Sequence, residues 1–304
     1  MDLLYWFASI RTPVMDTVMS LITHLGEETF FMVAALFVFW CVDKRRGYYL
    51  LSVGFAGTLV SQWLKIVCRV PRPWVKDPQF TIVEAARAEA AGYSFPSGHT
   101  QSAVGWLGGV ARFTGRIWLR VVCIVLLVLV SVSRMYLGVH TPADVGVSFA
   151  IAAVLVLVLY PLVESTLWFP NRMYYIIGGM LAVSLAFVAF MELFPFPADI
   201  DGANFAGALK NSYSMAGAVA GVLVVSVFDN RLLQFPNRAP WWGQLIKLVG
   251  GLVLVVLVKA LLKDPLLSLC SGHMAAHAIR YFLMVLTAGA IWPMTFRFFE
   301  QYAP

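Results

Sequence analysis

The sequence predicts an all-α, polytopic transmembrane helical bundle. Hydrophobic residues make up 60% of the 304 residues, charged residues only 12%, and the mean hydropathy is +0.79. A soluble globule of this length could not bury so much apolar surface. Apolar runs close to the roughly 20 residues that a helix needs to cross the hydrocarbon core recur along the chain. Most Lys and Arg residues lie in short loops between these runs, so the net charge of +6 orients spans and does not indicate nucleic acid.

Residues 1–27 are expected to form an N-terminal interfacial segment. They are amphipathic and contain Asp2, Arg11, Asp16 and His24, which suits one or two helices lying at the membrane surface better than a span. The chain start lacks a basic region and a small-residue cleavage site, so we expect this segment to stay on the mature protein.

About nine spans are expected after this segment. Residues 28–164 form a predicted core, and residues 165–304 a predicted extension of four spans. The candidate spans are 28–42, 48–67, 97–113, 117–133, 142–163, 173–194, 212–228, 244–263 and 274–297. The four cysteines are scattered through or beside the apolar runs without metal-ligand spacing, so we expect neither a disulfide nor a metal cage.

Loop charges predict the orientation of the spans. Lys44, Arg45 and Arg46 join the first two spans, and further arginines flank the turn between the third and fourth, so both turns should be cytoplasmic. This orientation puts the N-terminus outside, the C-terminus inside, and three polar blocks together on the extracytoplasmic face.

The first two blocks offer cations and a helix N-terminus. Lys65 and Arg72 stand where Pro71 and Pro73 end the second span, which fixes two cations at a helix end. Pro96-Ser97-Gly98-His99 opens the third span, where free amides bind anions and His99 can donate a proton. Taken singly, these residues also fit interfacial anchors and an ordinary helix cap.

The third block joins a cation to a histidine and a carboxylate. Ser133-Arg134 ends the fourth span and His140 follows. Thr141, Pro142 and Asp144 open the fifth span with a spacing close to a capping box. Asp144 could instead accept the ring hydrogen of His140 and leave the other ring nitrogen facing the pocket, which is the base-and-orienter arrangement of nucleophilic catalysis.

The three blocks together resemble the type 2 phosphatidic acid phosphatase superfamily. They read Lys, six residues, Arg-Pro; Pro-Ser-Gly-His; and Ser-Arg, five residues, His, three residues, Asp. The superfamily includes lipid phosphate phosphatases, undecaprenyl pyrophosphate phosphatases, glucose-6-phosphatase and vanadium haloperoxidases. The resemblance covers residues 48–163 of this chain.

The resemblance implies a metal-independent lipid phosphatase without a cofactor. It implies that His140 is the nucleophile that forms a phosphohistidine, that Asp144 orients it, and that His99 is the general acid. The residues implied to hold the phosphoryl oxygens are Lys65, Arg72, Ser97, Gly98 and Arg134. Three fixed cations would replace a metal ion, and no carboxylate cluster suited to magnesium stands near the blocks in the sequence. The expected partners are the bilayer and a phosphorylated lipid, in the plasma or inner membrane.

Other readings stay open. A sugar phosphate is an alternative substrate, a non-catalytic lipid transporter or binder is an alternative function, and a vanadate-dependent oxidase is disfavoured because known examples are soluble. Ser271-Gly272-His273 is similar to the second block but lacks its proline. With His277 and Arg280, it could line a headgroup cavity. The loop 74–94 is helix-prone in its middle and is expected to lie over the pocket. The sequence carries no signal for an oligomeric state.

Overall fold

The computed structural model describes residues 1–165 and 169–303, and its regular secondary structure in this part of the chain is entirely helical. No β-strand occurs among these residues, so the predicted all-α class is confirmed. The α-helices are α1 (Asp2–Ser9), α2 (Pro13–Thr23), α3 (Glu28–Phe37), α4 (Lys44–Cys68), α5 (Pro73–Lys76), α6 (Gly98–Phe113), α7 (Ile117–Tyr136), α8 (Pro142–Glu164), α9 (Met173–Leu193), α10 (Gly202–Phe228), α11 (Trp241–Leu261), α12 (Lys263–Leu269), α13 (Ala275–Leu286) and α14 (Phe296–Glu300). Residues 166–168, near the start of the predicted extension, lie outside the described residues.

Seven helices in the described residues are long and apolar enough to cross a membrane, which supports an integral membrane protein. They are Lys44–Lys76, Ile117–Tyr136, Pro142–Glu164, Met173–Leu193, Gly202–Leu233, Trp241–Leu269 and Ala275–Glu300. The segments Pro13–Gly26 and Glu28–Val42 meet at a 50° bend and give an eighth if they are counted as one span. The sequence-based count of nine is higher, because it also includes α6, which has only 16 residues.

The chain divides into two compact units. The first unit comprises Met1–Ala34, Ala56–Tyr160 and Asp201–Phe205, and the second comprises Ala35–Phe55, Pro161–Ile200 and Ala206–Pro304. All three polar blocks fall in the first unit.

The core of the first unit lies between α6 and α7. Its buried members are Ala103, Val104, Leu107, Ala111, Cys123, Leu127, Val130 and Ala152. The N-terminal helices pack against this unit through specific polar contacts. The Arg11 guanidinium donates to the carbonyl of Tyr136 at the end of α7 and to the carbonyl of Thr81, while the Tyr136 hydroxyl donates to Asp16 over 2.7 Å. The N-terminal segment thus braces the end of α7, from which the third block emerges.

The second unit is held by close helix packing and by buried polar pairs. Its helices α10 and α13 approach so closely that a Cβ on Gly217 would lie 1.9 Å from the carbonyl oxygen of Ala278. The Lys44 ammonium pairs with Asp229 over 2.9 Å, and the Trp40 indole donates to the carbonyl of Ala288. Glycine at position 217 therefore sets how near the two helices can come.

Candidate active site

The first block lies at the end of α4. The helix ends at Cys68, before Pro71, as the proline pattern predicts, and Pro73 then starts the one-turn helix α5. The Lys65 ammonium donates to the carbonyl of Tyr93 over 2.8 Å. This cation is therefore held against the loop that leads into the second block.

Arg72 ties that loop to the third block. Its guanidinium donates to the carbonyls of Ala91, Gly92 and Val139 over 2.9–3.0 Å, and its Nη1 lies 3.0 Å from Nε2 of His140. A guanidinium can only donate, so Nε2 is the acceptor and Nδ1 carries the ring hydrogen. The contact fixes the tautomer in which the Nε2 lone pair faces the cation.

The loop 74–94 packs on the turn that carries His140. Ala86 and Ala90 are buried against Leu137 and Val139, which places the loop beside the site as expected. The sequence predicts a helix-prone middle for this loop. The structure has only a single 3₁₀ turn there, Glu84–Ala86. Burial of its alanines against the end of α7 and the residues that follow it ties the loop to the turn that carries His140.

The second block forms the N-terminus of α6. Ser97 caps the helix, accepting from the amide of Thr100 over 3.4 Å and from its hydroxyl over 3.1 Å. The amide of Ser97 donates to the carbonyl of Asp144 over 3.2 Å, which joins the second block to the third. A Cβ on Gly98 would meet no atom within 4 Å, so the backbone there is open to an incoming group.

A glycine turn after α7 carries His140. Gly138 has φ of +81°, the left-handed conformation that ends many helices, and the amides of Val139 and His140 donate back to the carbonyl of Arg134. A Cβ on Gly138 would lie 2.8 Å from Nη2 of Arg11. The turn therefore needs glycine both for its φ and for the space.

Asp144 lies beside His140 and is held from three sides. Its Oδ2 accepts from the amide of Thr141 over 2.7 Å, and the hydroxyl of Thr141 accepts from the Asp144 amide, so the predicted capping box is confirmed. The hydroxyl of Ser94 donates to the same oxygen over 2.6 Å. Oδ2 also lies 3.6 Å from Nδ1 of His140, an ion-pair distance longer than a hydrogen bond. The capping and orienting interpretations of Asp144 are thus compatible.

Arg134 is buried and only partly satisfied. Its Nη1 donates to the hydroxyl of Thr23 over 2.6 Å, whereas its Nε and Nη2 are buried without a hydrogen-bond partner in the described part of the chain. Two free donors on a buried cation are what a phosphoryl group would need.

His99 faces a carboxylate. Its Nε2 is buried without a hydrogen-bond partner and lies 3.6 Å from Oε2 of Glu89. Glu89 in turn lies 3.6 Å from Nδ1 of His24, which pairs with Glu27. The atoms that His24, Glu27 and Glu89 could offer to a metal ion lie within 4.8 Å of one another, the one such group found among the described residues.

The charges around His140 favour its neutral form. Burial lowers the pKa of His140 well below its ordinary value, the positive charges of Arg72, Arg134 and Lys65 lower it further, and Asp144 raises it. Of these three cations, Arg72 contacts the ring directly, and Lys65 and Arg134 act on it through their charge. A neutral, correctly oriented imidazole is the form that can attack an electrophile.

Two family models match the chain. The PAP2 superfamily matches residues 45–168, and the transmembrane extension of PAP2 superfamily phosphatases matches residues 213–304. The chain belongs to the PAP2 superfamily. Every site residue predicted from the three blocks lies within the first match.

Individual relatives align with a little under half of this PAP2 chain. Sphingosine-1-phosphate phosphatase 1 from Rattus norvegicus is 28% identical over 148 residues, which are 47% of this chain and 34% of the relative. Phosphatidylglycerophosphatase B from Bacillus subtilis (strain 168) is 29% identical over 48% of this chain and 74% of the relative. Undecaprenyl-diphosphatase BcrC from the same organism is 27% identical over 48% of this chain and 74% of the relative. The chain thus spans about a third of the length of the sphingosine-phosphate phosphatases it matches. No solved structure matches it.

Three side chains of this PAP2 site were not found from the sequence. Ser94 binds Asp144, Thr23 binds Arg134, and Glu89 faces His99. Ser94 and Glu89 lie in the loop already expected at the pocket, but Thr23 lies 111 residues before its partner. Only a long-range signal, such as correlated substitutions, could have paired Thr23 with Arg134.

Proposed function

We propose that this chain is an integral-membrane phosphatase that hydrolyses a phosphomonoester or pyrophosphate of a membrane lipid. The observation that carries the proposal is His140, buried with Nε2 at 3.0 Å from Arg72 and Nδ1 at 3.6 Å from Asp144, in a chain of the PAP2 superfamily. This is a nucleophile with its orienting group behind it and a cation in front.

In the first step, the Nε2 lone pair of His140 attacks the phosphorus atom. The bond between phosphorus and the leaving oxygen breaks, and a proton from His99 goes to that oxygen. Asp144 stabilises the positive charge that develops on the imidazole. The products are the phosphohistidine and either the free lipid alcohol or, from a pyrophosphate, the lipid monophosphate.

In the second step, water attacks the phosphohistidine. The neutral His99 accepts a proton from the water, the bond between Nε2 and phosphorus breaks, and inorganic phosphate leaves. His140 returns to its neutral form, and His99 holds the proton that it gives to the next leaving group, so the cycle closes without another reactant. Burial and the nearby cations lower the pKa of His99 in the free enzyme, so the negative charge of the bound phosphoryl group is what favours its protonated form.

Positive charge for the transition state would come from side chains. Lys65, Arg72 and Arg134 all act on His140, and the Ser97 hydroxyl and the Gly98 amide lie at the start of α6. Phosphoryl transfer depends mainly on positioning and on neutralising the oxygens, so three cations can do here what a metal ion does in other phosphatases.

Two observations support the proposed substrate class: the expected position of the site at headgroup level and the substrates that the relatives' names give. The three relatives named above are phosphatases of a sphingoid-base phosphate, a phosphatidylglycerol phosphate and an undecaprenyl diphosphate, all amphiphiles. The loop charges support a pocket on the extracytoplasmic face, at headgroup level. We propose a lipid of this kind and expect water-soluble sugar phosphates to be poor substrates.

The test is phosphate release by the purified full-length chain from a panel of substrates in mixed micelles. The panel contains phosphatidate, phosphatidylglycerol phosphate, sphingosine 1-phosphate, undecaprenyl pyrophosphate and glucose 6-phosphate. We expect release from at least one lipid, loss of turnover in His140→Ala, and acid-labile labelling of the wild-type protein by a radiolabelled lipid phosphate.

Three results would redirect the proposal. Release that survives His140→Ala would remove His140 as the nucleophile. Release from glucose 6-phosphate alone would favour the sugar-phosphate alternative. Lipid binding or translocation without any release, undiminished in His140→Ala, would favour a transporter.

A further inference from the structure

Arg280 is a buried cation in the second unit that the proposed phosphatase site does not use. It lies on the apolar helix α13 and is only 6% exposed. A charge within an apolar transmembrane helix is costly unless it meets a counter-charge or water, so its surroundings should show what compensates it.

No carboxylate of the described residues lies within ion-pair distance of Arg280. Its Nη2 lies 3.2 Å from Nδ1 of His277, its guanidinium lies 5.5 Å from the ring centre of Tyr281, and its Nε is buried without a partner. None of the ion pairs formed by the described residues includes Arg280. The cation therefore has a free donor and an uncompensated charge.

The neighbouring ionisable groups add positive charge. The ammonium groups of Lys210 and Lys263 lie close enough to interact electrostatically with the ring of His277. Lys210 stands on α10 two turns before Gly217, at which α10 and α13 are in backbone contact, and both lysines are exposed. The cluster is thus positive, with a buried guanidinium and more exposed ammonium groups.

The same pattern occurs at Arg134. Arg134 is also fully buried, also has an unpartnered Nε, and also lies among other cations. There the missing anion is the phosphoryl group of the proposed substrate. Arg280 shows that pattern again in a different unit of the chain.

We propose that Arg280, with His277 and Lys210, forms a second anion site that binds a phosphate group. A guanidinium matches phosphate oxygens as a planar fork, and phosphate is the anion most abundant at the membrane surface. The phosphate can belong to a membrane phospholipid or be free inorganic phosphate. The proposal does not depend on phosphatase activity, because it rests on the burial and the unpartnered donor of Arg280 and on the positive charges near it.

The experiment uses the full-length chain in detergent, with native mass spectrometry and thermal unfolding as readouts. Phosphatidylglycerol and inorganic phosphate are titrated in separate arms, each in the wild type, in Arg280→Gln and in Arg297→Gln. Arg297 is an exposed cation of the same unit that donates to the carbonyl of Leu233, so it serves as the matched control. The same titrations in an Arg134→Gln background separate the new site from the proposed catalytic pocket.

In the Arg134→Gln background we expect one phosphate-bearing ligand to remain bound, and adding Arg280→Gln to weaken its binding at least about tenfold. Arg297→Gln should bind as the wild type does. Loss in the phosphatidylglycerol arm alone assigns a lipid, and loss in the inorganic arm alone assigns free phosphate. Equal affinity of the Arg280→Gln and wild-type forms in both arms would overturn the proposal.

A second variant covers a failure of Arg280→Gln to fold. Lys210 is exposed, so Lys210→Gln should fold and weaken binding in the same arm by about threefold. If Arg280→Gln is unfolded and Lys210→Gln binds as tightly as the wild type, the proposed site formed by Arg280, His277 and Lys210 is refuted. If the chain binds phosphate at Arg280 but releases no phosphate from any lipid, this proposal is supported and the proposed phosphatase function is contradicted.

Discussion

Replacing Ser94 with alanine tests whether Asp144 acts by orienting His140. Ser94 and Asp144 are both buried, and the Ser94 hydroxyl gives Asp144 Oδ2 its shortest hydrogen bond, 2.6 Å. The same oxygen faces Nδ1 of His140 at 3.6 Å. Ser94→Ala leaves the proposed nucleophile His140, the proposed general acid His99 and the three cations in place. It removes only one of the two hydrogen bonds that fix the Oδ2 atom.

The magnitude follows from the kind of bond that is lost. A hydrogen bond to a charged group contributes about 1.5–3 kcal/mol, and each 1.4 kcal/mol of lost transition-state stabilisation is about tenfold in rate. Part of the loss will appear as lower stability because a buried carboxylate loses a donor. We therefore expect kcat/KM to fall about 10–100-fold, mostly through kcat, since the Ser94 hydroxyl donates to Asp144 and is not one of the proposed phosphate ligands.

The assay is initial-rate phosphate release from the best substrate in the panel, together with thermal unfolding of each variant. Ser94→Thr keeps the hydroxyl and should restore most of the rate. Ser131→Ala is the matched control, since Ser131 is a buried serine of the same unit that donates over 2.8 Å to a carbonyl of its own helix. A Ser94→Ala enzyme within about twofold of the wild type, or a control that loses as much, would refute the reasoning.

Three further predictions concern the supports of the site. Gly138→Ala should lower both the melting temperature and kcat. The left-handed turn and a Cβ at 2.8 Å from Nη2 of Arg11 together cost about 1–3 kcal/mol. An unchanged melting curve would contradict this prediction. Thr23→Val removes the hydroxyl that accepts from Arg134 while keeping the shape of the side chain. It should lower kcat/KM about tenfold in initial-rate assays. An unchanged value would show that Thr23 does not position Arg134. Stability should fall as the pH drops below about 6.5, because the unfolded chain then protonates His140 while the folded state, with its lowered pKa, does not. The slope from this residue is at most about 1.4 kcal/mol per pH unit, and His140→Ala should flatten a denaturation series between pH 7 and 5; equal slopes would contradict it.

Much of the site could be predicted because local chemistry sets where its helices begin and end. Pro71 requires α4 to stop before it, Ser97 caps α6, and Pro142 starts α8 with Asp144 in its capping box. These signals act over a few residues, so one sequence suffices to place the blocks at helix ends. That the three blocks lie in one compact unit needed the structure.

The parts that the sequence did not predict depend on contacts between distant residues. Thr23 and Ser94 are ordinary polar residues in sequence and become site residues only because α2 and the loop 74–94 pack against α7 and α8. The span count differs for a related reason. The apolar run 97–113 gives a helix of 16 residues whose inner face is buried against α7, and hydropathy alone cannot distinguish a buried helix from a span.

The two buried arginines of the site differ in a way that their positions in the motif do not reveal. The Arg72 guanidinium donates to three backbone carbonyls and to His140, so its donors already link the loop 74–94 to His140. Arg134 uses one donor on Thr23 and keeps Nε and Nη2 free. A phosphoryl group can bind to Arg134 without breaking an existing hydrogen bond, whereas at Arg72 it must compete with carbonyls or share donors with them. We therefore propose Arg134 as the main phosphate ligand and Arg72 as the group that keeps His140 in the tautomer with a free lone pair on Nε2.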